Sequence, residues 1–434
     1  MDPSVETSCN AAEIQTPCPN AKYKHGWRRI VRNFTPSWFS VNMGTGIVSI
    51  LLHNLPYNAV WLYWISVALF ILNVLLFTTF LAITTLRYVL YPRIWSAMIN
   101  HPVQSLFLGT FPMALATIIN MIVFVCVPIW GHRAVHVAWS LWWLDAALSL
   151  ATCTSLPFAT MTLHARTTSL ASMTAAWLLP VVATIVAAAS GGIVAEVLGP
   201  NRPDLAATTL VASYVLWGAG VPLACVVLAM YFHRLALEKL PPADAIVSVF
   251  LPLGPLGQGG FGIMQLGRVA RDVFPVTGTL GGGGGGSGAA AAGDVLYVVG
   301  WLAAVVMWGF GLVWLIWAVA SVASVTKNSA RPRARARLPP FNIGWWGFTF
   351  PLGVFAASTA TMGEELPSRF FAVLGTALSC VVAALWVGVA AGTARRAWSG
   401  EMFFSPCVKG MEEKVGLMRG VEGVEVEGEG ERVD

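Results

Sequence analysis

Few residues in this chain could do chemistry, and they are scattered through apolar sequence. Asp145, in Trp142-Trp143-Leu144-Asp145, is the one acid inside a long apolar segment. An ionisable group at that depth is costly enough to be a functional candidate by default. It carries two readings, proton coupling or a structural hydrogen bond. Gly257-Gln258-Gly259-Gly260-Phe261-Gly262 fits the dinucleotide fingerprint G-x-G-x-x-G. That fingerprint needs a preceding strand, a following soluble helix and an acid about 20 positions on, whereas here it sits inside an apolar span. Close helix packing, or a broken helix whose backbone approaches a solute, explains the glycines better. His132 and His136 have the i, i+4 spacing of a metal pair, but no carboxylate or thiolate nearby completes a site. The seven cysteines form no C-x-x-C pair and read as unpaired thiols. No catalytic residue, metal or cofactor is expected.

What remains are hydroxyls, amides, phenylalanines and prolines. Thr110-Phe111-Pro112 and Thr349-Phe350-Pro351 repeat one triplet. A proline inside a bilayer-length segment removes a backbone hydrogen bond, so it must sit where protein or a cavity absorbs the break. Kinks are expected at Pro112, Pro180, Pro252 and Pro351, and two of them, each beside a phenylalanine, suggest a pore. No lysine or arginine lies deep in any predicted span. An anion crossing here would need hydroxyls, amides and the N–H groups of a restarting helix. Asn42, Thr45, Ser49, Thr110, Thr117, Thr184, Ser190, Gln258 and Thr349 are the candidates to line its path, against the alternative that each hydroxyl bonds only its own backbone. Phe350 reads either as a plug that blocks the pore and moves aside or as packing, and Phe111 and Phe348 compete for that role. A hydrophobic constriction gates by excluding water.

These residues must be positioned by membrane helices. The 434 residues are 56% hydrophobic and 11% charged, with mean hydropathy +0.68, whereas soluble domains are about one-quarter charged. Ten apolar segments follow, near 36–54, 60–87, 103–130, 136–163, 174–198, 205–233, 245–267, 295–325, 342–363 and 369–397. With the N-terminus inside, the inner segments hold 21 of the 26 lysines and arginines, the outer ones only Arg133, Arg202, Arg268, Arg271 and Arg369. Both termini are therefore expected in the cytoplasm. The first, third, fifth, seventh and ninth segments each carry an early proline. The expected fold is an all-α integral membrane protein of ten helices, paired as five hairpins around a central pore. Residues 1–33 read as a disordered arm, 34–398 as the transport domain with a glycine-rich outer loop over 272–294, and 399–434 as a disordered acidic tail. The net charge of +5 does not imply nucleic acid as a partner.

Longer motifs carry a resemblance. Asn33-Phe34-Thr35-Pro36-Ser37-Trp38-Phe39, Met43-Gly44-Thr45-Gly46-Ile47-Val48-Ser49, Leu108-Gly109-Thr110-Phe111-Pro112-Met113, Ser190-Gly191-Gly192 and the run from Val249 to Gly262 resemble the fungal sulfite efflux pumps. These belong to the tellurite-resistance and dicarboxylate transporter superfamily, with fungal malate permeases and the slow anion channels of plant guard cells. The resemblance implies ten helices around a pore in each subunit, trimeric assembly, and a gating phenylalanine on the ninth helix that maps to Phe350; the repeated triplet makes Phe111 its expected counterpart across the pore. It also implies sulfite export through the plasma membrane. Proton-coupled transport of malate or another C4-dicarboxylate is the rival substrate assignment, and a membrane oxidoreductase using the glycine motif is the rival from another class.

Overall fold

The computed structural model describes residues 26–163, 170–281, 286–328 and 340–409, and their regular structure is helical throughout. Ten principal helices follow the ten apolar segments. They are α1 (Phe39–His53), α2 (Val60–Leu90), α3 (Thr110–Met121), α4 (His132–Thr162), α5 (Leu178–Leu198), α6 (Pro203–Glu238), α7 (Leu253–Thr277), α8 (Gly286–Asn328), α9 (Thr349–Glu365) and α10 (Arg369–Trp398). Beyond Met121, α3 widens into a π-helical stretch, Ile122–Cys126, before a last α turn. Among the described residues, eight helices are long and apolar enough to cross a membrane, the third counted with its flanking turns from Ser105 to Trp130. The other two, α1 and α9, have 15 and 17 residues, short of the ~20 that span a hydrocarbon core.

One local device recurs at the head of every odd-numbered helix. A 3-10 stretch comes first, then the α-helix: Pro36–Trp38 before α1, Ser105–Gly109 before α3, Ala175–Trp177 before α5, Ala243–Phe250 before α7 and Ile343–Gly347 before α9. In four of them the third α-helical residue is proline: Pro112, Pro180, Pro255 and Pro351. A first-turn N–H has no intrahelical acceptor, so proline there loses little. Its ring still collides with the carbonyl four residues back, and that carbonyl falls in or beside the 3-10 stretch. The expected early kinks are thus changes of helix type at the head of each element, with Pro252 standing just before α7.

Each odd helix packs along the even helix that follows it, giving five hairpins. The odd helices also touch in sequence, α1 to α3, α5, α7 and α9, and α9 returns to α1, so the inner ring is closed. Burial follows this order. Nearly all of α5 is buried, whereas the even helices present Trp61, Leu75, Val306 and Val381 outward. Such an apolar exterior is what a lipid-facing surface requires. The glycine motif serves the ring: a Cβ on Gly257 would stand 2.6 Å from the backbone nitrogen of Phe355, so glycine is what lets α7 and α9 approach.

Three boundaries differ from expectation. The loop placed over 272–294 is shorter, because α7 runs to Thr277, α8 begins at Gly286 and Ala289 is fully buried; alanine is the best helix former. The arm ends in a helix, Trp27–Asn33, whose Arg29 donates to the carbonyl of Gly400. The start of the tail folds back: Phe403 stacks on Trp38 at 5.2 Å, and the fully buried Arg87 donates to Phe34 O (2.6 Å) and Ser405 Oγ (3.2 Å). The expectations for residues 1–25, for the basic loop from Arg331 to Arg337 and for the acidic end of the tail lie outside the described residues.

Candidate functional site

Two cavities lie inside the ring. The smaller, about 260 Å³, is walled by the heads of all five odd helices: Met43, Thr110, Leu179, Gly254 and Pro351 each contribute. The larger, about 620 Å³, is walled by their later turns, including Ile50, Asn120, Val186, Gln258 and Val354. The five helices therefore run in one direction, and their N-termini converge on the smaller cavity. Helix N-termini carry partial positive charge, so that chamber favours an anion. Among the described residues no lysine or arginine lines it, and Asp244 is its acidic residue.

Phe350 lines both cavities and is the one lining residue they share. It is the second residue of α9, just after the 3-10 turn that aims the helix inward, and is only 4% exposed. Beyond it the larger cavity turns polar: Thr117, Asn120, Gln258 and Gln265 line it, as do Glu196, Arg268 and Glu364. Gln265 Nε2 donates to Glu196 at 2.7 Å, and Arg268 Nη2 donates to Glu196 at 3.1 Å and to Gln265 Oε1 at 2.8 Å.

A polar chamber and an apolar one thus meet at one aromatic ring, inside a ring of membrane-type helices. Residues 33–394 match the sequence profile of the voltage-dependent anion channel family. The chain belongs to that family. It is 53% identical to a sulfite efflux pump of Arthroderma otae over 88% of this chain and 96% of that protein. Similarity extends to a sulfite efflux pump of Saccharomyces cerevisiae, 26% identical over 80% of this chain and 84% of the other. A malic acid transport protein of Schizosaccharomyces pombe is 24% identical over 82% and 77%. Members of the voltage-dependent anion channel family are transport proteins, so this chain is a multi-pass membrane transporter of small anions and not an enzyme.

Against this family background, four of the residues expected to touch the solute do line a cavity: Thr110, Thr117, Gln258 and Phe350, with Pro351 beside them. Of the other polar candidates, three bond the outer helices. Asn42 donates to Asn73 Oδ1 of α2 at 3.0 Å, and Asn73 Nδ2 donates on to Thr117 Oγ1 at 3.1 Å. Ser49 and Ser66 exchange hydroxyl-to-carbonyl bonds of 2.7 Å, and Thr45 Oγ1 accepts from Trp386 Nε1 of α10 at 3.1 Å. Thr184 and Thr349 donate to the carbonyls three residues back. Ser190 is buried without a partner and lines neither cavity. A polar group in an apolar interior costs free energy unless it is bonded; Asn42 and Ser49 therefore tie α1 to α2, and Thr45 ties it to α10, instead of lining a cavity.

Two aromatic assignments are corrected. Phe111 turns away from the cavities, 5.0 Å from Phe39 edge-on and stacked 5.5 Å from Phe77 of α2, so it is packing. Phe348 sits against Phe250 and Trp345. Asp145 is fully buried on α4, neither oxygen finds a hydrogen-bond partner among the described residues, and it lines neither cavity. The residues that sequence reasoning missed are Asn120, Gln265, Glu196, Arg268 and Glu364. One signal was available: Gln258, Phe261, Gln265 and Arg268 recur at helical spacing, which puts them on one face of α7.

Proposed function

We propose that this protein exports sulfite, as bisulfite or the dianion, from the cytosol through a pore in each subunit, with the Phe350 ring as its gate. The observation that carries the gate is that Phe350 is the sole residue common to the two cavities. The basic residues concentrated at the heads of the odd helices support placing the smaller cavity at the cytoplasm, with both termini on that side and all ten helices crossing the plasma membrane. Trimeric assembly is part of the same reading, by family resemblance.

In this mechanism an anion enters the smaller cavity towards five converging helix N-termini. It meets no fixed cation there, so it is held weakly and can move on, as conduction demands. The Phe350 ring closes the way by excluding water. When the ring moves aside, the amides of Gln258 and Asn120 and the hydroxyl of Thr117 take over the solvation the anion has lost. Sulfite is favoured over a dicarboxylate by the 53% identity to a sulfite efflux pump, set against 24% to a malic acid transporter. The test is sulfite efflux from loaded proteoliposomes containing the purified protein: efflux above protein-free vesicles is expected, and flux equal to theirs overturns the assignment. Excess succinate should leave it unchanged, whereas succinate-sensitive malate flux would install the dicarboxylate reading.

A further inference from the structure

Arg268 is the one arginine or lysine lining either cavity among the described residues, and it is held on one side only. Its three hydrogen bonds all leave from Nη2, two to Glu196 and one to Gln265. Nη1 and Nε make none with the described residues. Both paired edges of the guanidinium include the occupied Nη2, so what it keeps free is the Nη1 amino group, whose charged N–H donors suit a single oxygen of an oxyanion. Two further side chains in the same chamber are polar, nine-tenths buried and unpartnered. Asn120 and Gln258, each 5% exposed, make no hydrogen bond with the described residues. Gln258 and Arg268 stand ten residues apart on α7, about 15 Å along its axis.

Two carboxylates complete the arrangement. Glu196 sits on Nη2 of Arg268, and Glu364 of α9 lines the same chamber. One cation facing two anions makes a poor permanent trap for a third anion, but a suitable place for brief residence. We infer that the larger cavity contains an oxyanion station on the Nη1 amino group of Arg268, approached past Asn120 and Gln258, and that Glu196 and Glu364 keep occupancy short by repulsion. The station takes a small oxyanion through one of its oxygens, and sulfite qualifies. This rests on the export reading, in which Arg268 stands at the external mouth. The arginine then draws the anion beyond the Phe350 ring, and the carboxylates release it to the outside.

The experiment uses loaded proteoliposomes with substrate added outside, so that external anion occupies the station and slows efflux. It is run with whichever of sulfite and malate the wild type carries; wild-type flux tests the proposed function, and the variants test the station. Glu196→Gln and Glu364→Gln should each lower the half-inhibitory external concentration about tenfold, and Arg268→Gln should raise it about tenfold, the scale of one charge-assisted contact. Were Glu196–Arg268 only a structural ion pair, Glu196→Gln and Arg268→Gln would shift together, which would overturn the inference. Glu364→Gln breaks none of the three Arg268 hydrogen bonds and so reads repulsion with the fold intact; an unmoved inhibition curve for it would equally count against the station.

Discussion

Replacing Phe350 by alanine removes the one side chain that stands between the 260 and 620 Å³ cavities. The ring is 4% exposed, yet it borders open volume on two sides, so its truncation should cost less than the ~3–5 kcal/mol typical of a packed phenylalanine. The transport effect is expected to be much larger than the stability effect. If the ring moves aside in a minor state populated at about 0.1–10%, removing it raises flux roughly 10- to 1,000-fold. Initial rates of efflux from loaded proteoliposomes, normalised to reconstituted protein, measure this directly. Phe348→Ala is the control, because Phe348 packs on Phe250 at 5.0 Å and lines neither cavity; it should lose thermal stability without leaking. Phe111→Ala should behave likewise. Wild-type flux in Phe350→Ala, or a leak from Phe348→Ala equal to that of Phe350→Ala, would refute the assignment of the gate.

Other perturbations follow from the packing. Gly257→Ala drives a Cβ into the α9 backbone at Phe355 and should cost about 1–3 kcal/mol, seen as a lower melting temperature in detergent; an unchanged temperature would mean that α7 and α9 separate freely. Asp145→Asn should leave the pH dependence of efflux unaltered, since neither cavity reaches Asp145, and a shifted pH–flux curve would put that carboxyl on the path. Arg87→Met leaves Phe34 O and Ser405 Oγ without their donor and should cost about 1–3 kcal/mol. Limited proteolysis should then cut more readily near Lys409, and an unchanged cleavage rate would show that Arg87 does not hold the tail.

The ring of odd helices was legible because two patterns agree: apolar segments long enough to be counted, and prolines that fall early in alternate ones. Those prolines also marked the heads of the elements, although local sequence could not tell a bend from a switch between 3-10 and α geometry. Identical triplets show where local reading stops. Thr110-Phe111-Pro112 and Thr349-Phe350-Pro351 occupy the same positions in their helices, yet Phe111 meets Phe39 and Phe77 while Phe350 meets two cavities. The difference lies in what surrounds each helix. Polar residues on α1 misled for a related reason: that helix is enclosed by protein on every side, so no periodic contrast separates the face towards α2 from the face towards the cavity. The Glu196–Arg268 pair joins α5 to α7 across a long stretch of sequence and becomes visible only once the ring is closed.

The repeated helix head has a consequence for how the proposed pore can change. The residue before the third-position proline is Phe350 in α9, Leu179 in α5 and Gly254 in α7, and all three line the smaller cavity. With Phe350 as the proposed gate, the wall holds two spare sites for a constriction. Gly254 is the most open of these, because a Cβ there would meet nothing nearer than Val182 Cγ1 at 3.9 Å. A larger side chain at Gly254 would narrow the smaller cavity from the neighbouring helix without rebuilding the scaffold, so the bore of the proposed conduit can be retuned one residue at a time.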